Sequence, residues 1–330
     1  MSRLSSPQLG LPLAIALALL SVLPPSQAQD FEWKIIQKDK REFVSGKNVA
    51  RFYGFPKYGL AGQEVVFRSQ SILIQGQLES KDLYINGVRF ILNDALQLHQ
   101  GKVLLSKLDL LKLINPVLRP NLIRTATPFN TVIIDPGHGG KDKGAIGYYG
   151  LEKDYNLSLS LAVGKELQRL GFKVLYTRTK DIFIDLEGRA EYANQQDNAI
   201  FLSIHHNASS RKAARGIETF ALAPQGASST NTGRLDLKKH KGNQRDSENI
   251  ALATAIHSQA TRRTQAEDRG IKRARFSVIR NVEIPGILFE AGFLTNQAEA
   301  KKVHTSAYRA QLAAAIAQGV LNFRAAITSR

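Results

Sequence analysis

Three apolar runs lead to side chains able to bind a metal or move a proton, and a loop carries a further one. "TVIID" (Thr131 to Asp135) leads into the Gly-rich stretch "PGHGGKDKGAIGYYGLE", which presents His138 and then Glu152. "AIFLSIHH" finishes in His205 and His206, and "GILFEAGF" carries Glu290 near its end. Ligands gather beyond the carboxyl ends of the strands in an open α/β sheet. If these runs are parallel strands, His138, His205 and Glu290 meet at one edge, and the loop brings in Glu152. Two imidazoles, one carboxylate and an open position make a catalytic zinc site. A second carboxylate is then left to take a proton from water. Each residue alone has an ordinary explanation: a Glu at a helix start complements the helix dipole, and a buried His is more often hydrogen-bonded than ligated. Their coincidence at four equivalent places favours chemistry. The same Gly-rich stretch lacks the Gly-Lys-Ser/Thr spacing of a phosphate-binding loop and fits a dinucleotide fingerprint poorly.

Neighbours on a strand point to opposite faces, so His205 and His206 do not both ligate one ion. Both faces of "IFLSI" read as buried, and alternation alone leaves the choice between them open. Around these runs, strands alternate with amphipathic helices. A helix capped by Asp154 carries Leu159, Val163, Leu167 and Leu170 on one face and stops at Gly171. Then come the strand "FKVLYTR", a helix through "LEGRAEYANQQ", the strand "GIETFALA", a helix from Asn249 to Arg263 and a closing helix through "YRAQLAAAIAQGVLNFRAA". This order predicts an α/β domain over residues 126–330, with a mostly parallel or mixed sheet flanked by helices. Ala223 to Ser247 is Gly/Ser/Thr/Asn-rich and then basic, and is expected to be an exposed loop. Residues 29–125 instead read as a small, mainly β domain. It has a hairpin turn at Asn86-Gly87, then a strand and a short helix with Ser106 as N-cap and Pro116 near its end. Its one histidine is His99, with no clustered carboxylates.

The chain has 330 residues, 43% hydrophobic and 22% charged, an ordinary globular composition. Residues 1–28 stand apart. They hold Arg3 as their only charge, an apolar run from Leu11 to Leu23, and Ser26-Gln27-Ala28 as a small-x-small site. That pattern is a secretory signal peptide cut after Ala28. The run is short for the ~20 residues of a membrane span, so the mature chain is expected to have none. The absence of cysteine excludes disulfides, thiolate ligands, a lipoprotein anchor and a cysteine nucleophile. The formal charge of +17 suits a polyanionic partner. Export makes nucleic acid the least suitable one, and the aromatic-plus-basic patterns of RNA modules are missing.

Taken in order, "IDPGHGG", "GLEKDYNL", "TR", "LEGRAEYAN", "SIHHN", "GIETF" and "FEAGFLTN" resemble the catalytic domain of the zinc-dependent N-acetylmuramoyl-L-alanine amidases, from about Thr131 to the C-terminus. The resemblance implies Zn2+ held by His138, Glu152 and His205, with Glu290 as the catalytic residue. It implies hydrolysis of the amide between the lactyl group of muramic acid and the first L-alanine of the peptidoglycan stem peptide. The protein would be exported to the periplasm or extracellular cell wall and serve cell separation or wall turnover. A non-catalytic peptidoglycan-binding protein and a zinc peptidase acting within the stem peptide are the alternatives. His206 stands where relatives commonly have Ala, so it orients substrate or fills space. Asn207 and Arg189 are further candidate substrate contacts, Arg189 also being read as a brace of the fold. Arg178, Arg211, Lys212 and Arg215 are structural, solvated, or attract carboxylate-bearing stem peptides. In "LYINGVRFIL" and "SKLDLLKLINPVL" the first domain resembles the stalk domain of copper amine oxidases without its copper ligands, which implies a spacer or wall-binding role. Some relatives carry a helix that covers the zinc until an activator displaces it. The place for one here, Ala223 to Ser247, has no apolar helical stripe, so an open site is expected; the sequence points to no particular activator.

Overall fold

The computed structural model describes residues 31–329, and the expected signal peptide lies outside them. Strands β1 (Ile35–Lys38) and β2 (Arg41–Ser45) lead to helix α1 (Gly46–Tyr53), where the Ser45 hydroxyl accepts from the Asn48 N–H as a true N-cap. An antiparallel meander follows: β3 (Lys57–Ala61), β4 (Glu64–Arg68), β5 (Leu73–Gln77), β6 (Asp82–Ile85) and β7 (Val88–Ile91). Asn86 and Gly87 both take positive φ in the β6–β7 turn, at 49° and 80°, as the hairpin requires. Val65, Phe67, Ile74, Leu83, Ile85 and Phe90 are buried from alternate positions of these strands. Strands β8 (Gln97–His99) and β9 (Lys102–Ser106) join β2 and β1 in a separate four-stranded sheet. Helical residues 107–118 form α2, which contains a wider π turn at Leu110–Ile114; Ser106 precedes it but makes no capping bond.

The second half contains β10 (Thr131–Pro136), α3 (Glu152–Arg169), β11 (Lys173–Tyr176), α4 (Leu186–Asn194), β12 (Ala199–Asn207) and β13 (Ile217–Leu222). It continues with α5 (Asp246–Thr264), β14 (Asp268–Ala274), α6 (Ser277–Arg280), β15 (Gly286–Phe293), α7 (Gln297–His304) and α8 (Ser306–Thr328). Eleven strands make one sheet in the order β11-β10-β12-β15-β13-β14-β7-β6-β5-β4-β3. The first four are mutually parallel, β13 is antiparallel to β15, and β14 is parallel to β13. The fold is thus the expected α/β arrangement with a mixed sheet. The meander enters it by a parallel contact of Phe90 on β7 with Ile271 on β14. Val132, Ile134, Leu202 and Ile204 face one layer, packed with apolar residues of α3, α5 and α8. Ile133, Phe201, Phe220 and Leu288 face the other, with residues of α4 and α6.

Three local expectations are corrected. Helix α3 starts at Glu152, with Leu151 in the cap position, and Asp154 lies in its first turn. The cause is the loop, because the Glu152 N–H donates to Ala145 O at 2.9 Å and fixes the start two residues earlier. Leu159, Val163 and Leu167 are buried as expected, but Leu170 lies past the helix end and is exposed. Residues 223–247 are not simply an exposed loop, since Ala227, Ser229, Asn243 and Asp246 are buried and a 3-10 turn forms at Lys241–Arg245. Polar clamps hold this stretch: Arg275 Nη2 donates to Pro224 O and Ala227 O at 2.8 and 2.7 Å, and Ser228 N–H to Asn93 Oδ1 at 2.8 Å. No hydrophobic period announces such bonds.

Candidate metal centre

His138, Glu152 and His205 come together: one possible ligand atom from each lies within 4.8 Å of the others. Strand β10 delivers the first through Gly137, and His138 itself takes φ 61°. A non-glycine residue pays about 1–2 kcal/mol for that conformation, so its surroundings must enforce it. They do: Arg189 Nη2 donates to His138 O at 2.7 Å and Nη1 to Pro136 O at 2.8 Å, while Arg178 donates to Pro136 O and Gly137 O, both at 2.9 Å. Both arginines are buried. Beneath them Asp135 is fully buried and accepts from Arg189 Nη1 at 2.6 Å, Thr177 Oγ1 at 2.6 Å and Ser203 Oγ at 2.7 Å. The glycines leave room for the ligands. A Cβ on Gly137 would run into the His205 ring, and one on Gly144 would lie 2.6 Å from Glu152 Oε2.

Orientation of the donors is equally fixed. His138 Nδ1 is 2.8 Å from Asp142 Oδ2, which turns Nε2 toward Glu152 Oε1 at 3.1 Å. His205 Nδ1 lies 3.0 Å from the same oxygen. Glu152 Oε2 accepts from Ala145 N–H at 2.8 Å, and Asn156 Nδ2 reaches Oε1 at 3.2 Å. Burial would raise the Glu152 carboxyl, but the hydrogen bonds and charges of the two imidazoles prevail and hold it well below the usual carboxylate range. Burial lowers His138 in turn, and Glu152 and Asp142 more than reverse this. Two imidazoles converging on one ionised carboxylate, His138 oriented further by Asp142, fit a divalent cation with a coordination position left open. Asp142→Ala is expected to weaken metal affinity about 10- to 100-fold, as read by competition with a chromophoric chelator.

His205 shares its face of β12 with Phe201 and Ser203, whereas His206 points to the α3 layer. There His206 Nδ1 meets Asn156 Oδ1 at 2.8 Å, its Nε2 is buried without a partner, and burial pushes the ring down to about 4. Glu290 is paired across strands with His205 on one side and Glu218 on the other. The residue as a whole is partly exposed, yet Oε2 is sealed and makes no hydrogen bond among the described residues. Burial first, then the charges of Glu152 and Glu218, push its carboxyl well above the usual range. Asn207 Nδ2 donates to Glu218 Oε2 at 3.1 Å, and all the bonds recorded for Arg189 go to Asp135 and to backbone carbonyls. Sequence reasoning missed Asp142, Asn156 and Glu218. Asn156 stands one helical turn after Glu152, and Glu218 is a lone acid in an apolar strand, the same signal that marked Glu290. Asp142 has no comparable signal within its Gly/Lys loop.

A donor cluster and a separate sealed carboxylate at the carboxyl edge of parallel strands are the parts of a hydrolytic site built on an α/β sheet. The sequence profile of the N-acetylmuramoyl-L-alanine amidases matches residues 132–322, over half of the chain, and the protein belongs to that family. Over 203 residues it is 31% identical to the N-acetylmuramoyl-L-alanine amidase LytC of Bacillus subtilis, covering 62% of this chain but only 37% of LytC. Over 243 residues it is 30% identical to AmiA of Salmonella typhimurium, covering 66% of this chain and 84% of AmiA. The catalytic domain of CwlV from Bacillus (Paenibacillus) polymyxa superposes with a TM-score of 0.50 at 30% identity, covering 59% of this chain and 98% of that domain. An N-acetylmuramoyl-L-alanine amidase from Clostridium difficile 630 gives the same TM-score at 34% identity, covering 60% and 97%.

Proposed function

We propose that this protein is an exported, zinc-dependent hydrolase of peptidoglycan. It cuts the amide between N-acetylmuramic acid and L-alanine, in cell separation or wall turnover, in the periplasm or the extracellular cell wall. The observation that carries this reading is the convergence of His138, Glu152 and His205 one strand away from the unpartnered Glu290 oxygen. Bound by those three ligands, the ion supplies Lewis acidity, polarising an amide carbonyl and acidifying water. Glu290 takes a proton from the attacking water and returns it to the amine as the C–N bond breaks. The products are a lactyl carboxylate and a free L-alanyl amine. Arg189 serves as a brace of the His138 loop, His206, buried against Asn156, fills space behind the ligands, and Asn207 contacts substrate.

Residues 29–125 are proposed as a spacer or wall-binding domain, distantly like the amine oxidase stalk, and 126–330 as the catalytic domain. The charge of +17 supports a wall polymer rich in carboxylates as partner. Among the described residues no helix is long and apolar enough to cross a membrane. Residues 223–247 leave the end of β13 away from Glu290, because β13 runs antiparallel to β15; this supports a site that works without displacement of a covering helix. The test is zinc analysis combined with mass mapping of digested peptidoglycan. Roughly one zinc per chain and released stem peptides with free lactyl carboxylates are expected. Intact sugar–peptide links beside cut peptides would make it a stem peptidase, and binding without products a non-catalytic protein. His138→Ala should lose the zinc; full occupancy in that variant refutes the ligand set.

A further inference from the structure

The catalytic edge has a direction. From β10 through β12 and β15 to β13 and β14, its side chains run His138, His205, Glu290, Glu218, and then Arg269 with Lys272. If Glu290 delivers a proton to the departing amine, that amine lies over β15, and the peptide it carries has two ways to go. Toward β11 the rim is mixed, with Ile182, Phe183 and Leu186 exposed beside Lys180, Asp181, Asp185 and Glu187. Toward β14 it is cationic. Glu218 is buried, and its Oε1 accepts from both Arg269 Nε at 2.6 Å and Lys272 Nζ at 2.7 Å. Two cations share one carboxylate, and Lys272, the deeper of the two, also acts on Glu290, which leaves Arg269 as the cation facing outward. Glu267 does not cancel it, because it is exposed, lies 3.9 Å from Arg269 Nη1 and is bonded to Arg215 at 3.1 Å.

Arg269 is held for this purpose from behind. Its Nε is fixed by Glu218, its guanidinium carbon stands 4.9 Å from the centre of the Phe293 ring, and Nη2 makes no hydrogen bond among the described residues. The side chain keeps 30% exposure. We propose that Arg269 determines specificity by binding a carboxylate of the departing peptide through the outer edge of its guanidinium; this rests on the amide-cleaving function proposed above. The distance suits it. Two strand spacings separate β15 from β14, roughly 10 Å, which about three extended residues span. A planar guanidinium matches a carboxylate better than the compact ammonium of Lys272, which stays with Glu218.

The experiment uses the full mature chain and two muramyl-peptide substrates that differ only in whether the peptide carboxylates are free or amidated. Amidation is expected to lower wild-type kcat/KM about tenfold to a hundredfold, mainly through KM. Arg269→Ala should lose a similar factor on the acidic substrate and nothing further on the amidated one, with Arg269→Lys in between. Equal losses on both substrates, or a wild-type protein indifferent to amidation, overturn the proposal. If the alanine variant folds poorly, Arg269→Lys supplies the same comparison of the two substrates. Failure of the wild type to cut the sugar–peptide amide in either substrate would instead overturn the proposed function.

Discussion

Glu290→Gln is expected to cut turnover by about 10²–10⁴ while metal content stays at the wild-type level. The substitution keeps the size and shape of the side chain and removes its ability to accept a proton. None of the three proposed ligands changes, and Glu290 makes no hydrogen bond through Oε2 that the amide would break. The change also replaces a carboxyl whose ionised form is disfavoured by burial first and then by the charges of Glu152 and Glu218. The metal-free variant should therefore melt no lower than the wild type. Single-turnover hydrolysis, metal analysis and a melting curve check the three parts together. Retained turnover would move the proton transfer to another group, Glu218 being the adjacent carboxylate on β13.

Removing Asp135 should have the largest effect on stability. Asp135→Ala leaves the buried Arg189 guanidinium without its counter-charge and takes the acceptor from Thr177 and Ser203. Breaking one side of a buried ion pair costs about 3–5 kcal/mol, a large share of an ordinary domain's stability. Denaturant unfolding of the metal-free protein measures it. Asp135→Asn retains an acceptor and should cost less. Activity should fall in both, because Arg189 also holds the carbonyl of His138 in its left-handed conformation. A loss below about 1 kcal/mol, the scale of an exposed pair, would mean that the brace contributes little.

The part of this architecture carried by local pattern was legible in the sequence. Apolar runs ending in His205 and Glu290 are strands, and Leu159, Val163 and Leu167 face the core at helical spacing. What escaped was set by partners far away along the chain. Both faces of β12 are buried, so parity could not separate His205 from His206; the layer formed by α4 and α6 on one side and by α3 on the other does so. The start of α3 depends on a bond to Ala145, and the order of the folded stretch after β13 depends on Arg275 and Asn93. Cross-strand neighbours such as Glu218 and Glu290 become visible only once register is known. The Asp142 contact with His138 is local in sequence, but loop backbone, not periodicity, creates it.

The junction of β7 with β14 has a consequence for any shortened form of the protein. Remove the first strands and β14 becomes the rim of the sheet, its main-chain N–H and C=O groups bare along one side. Such a rim is an invitation to a second copy, and Arg273, whose ion pair with Asp109 crosses the same boundary, would lose its partner too. In the whole chain the amino-terminal strands cover that edge.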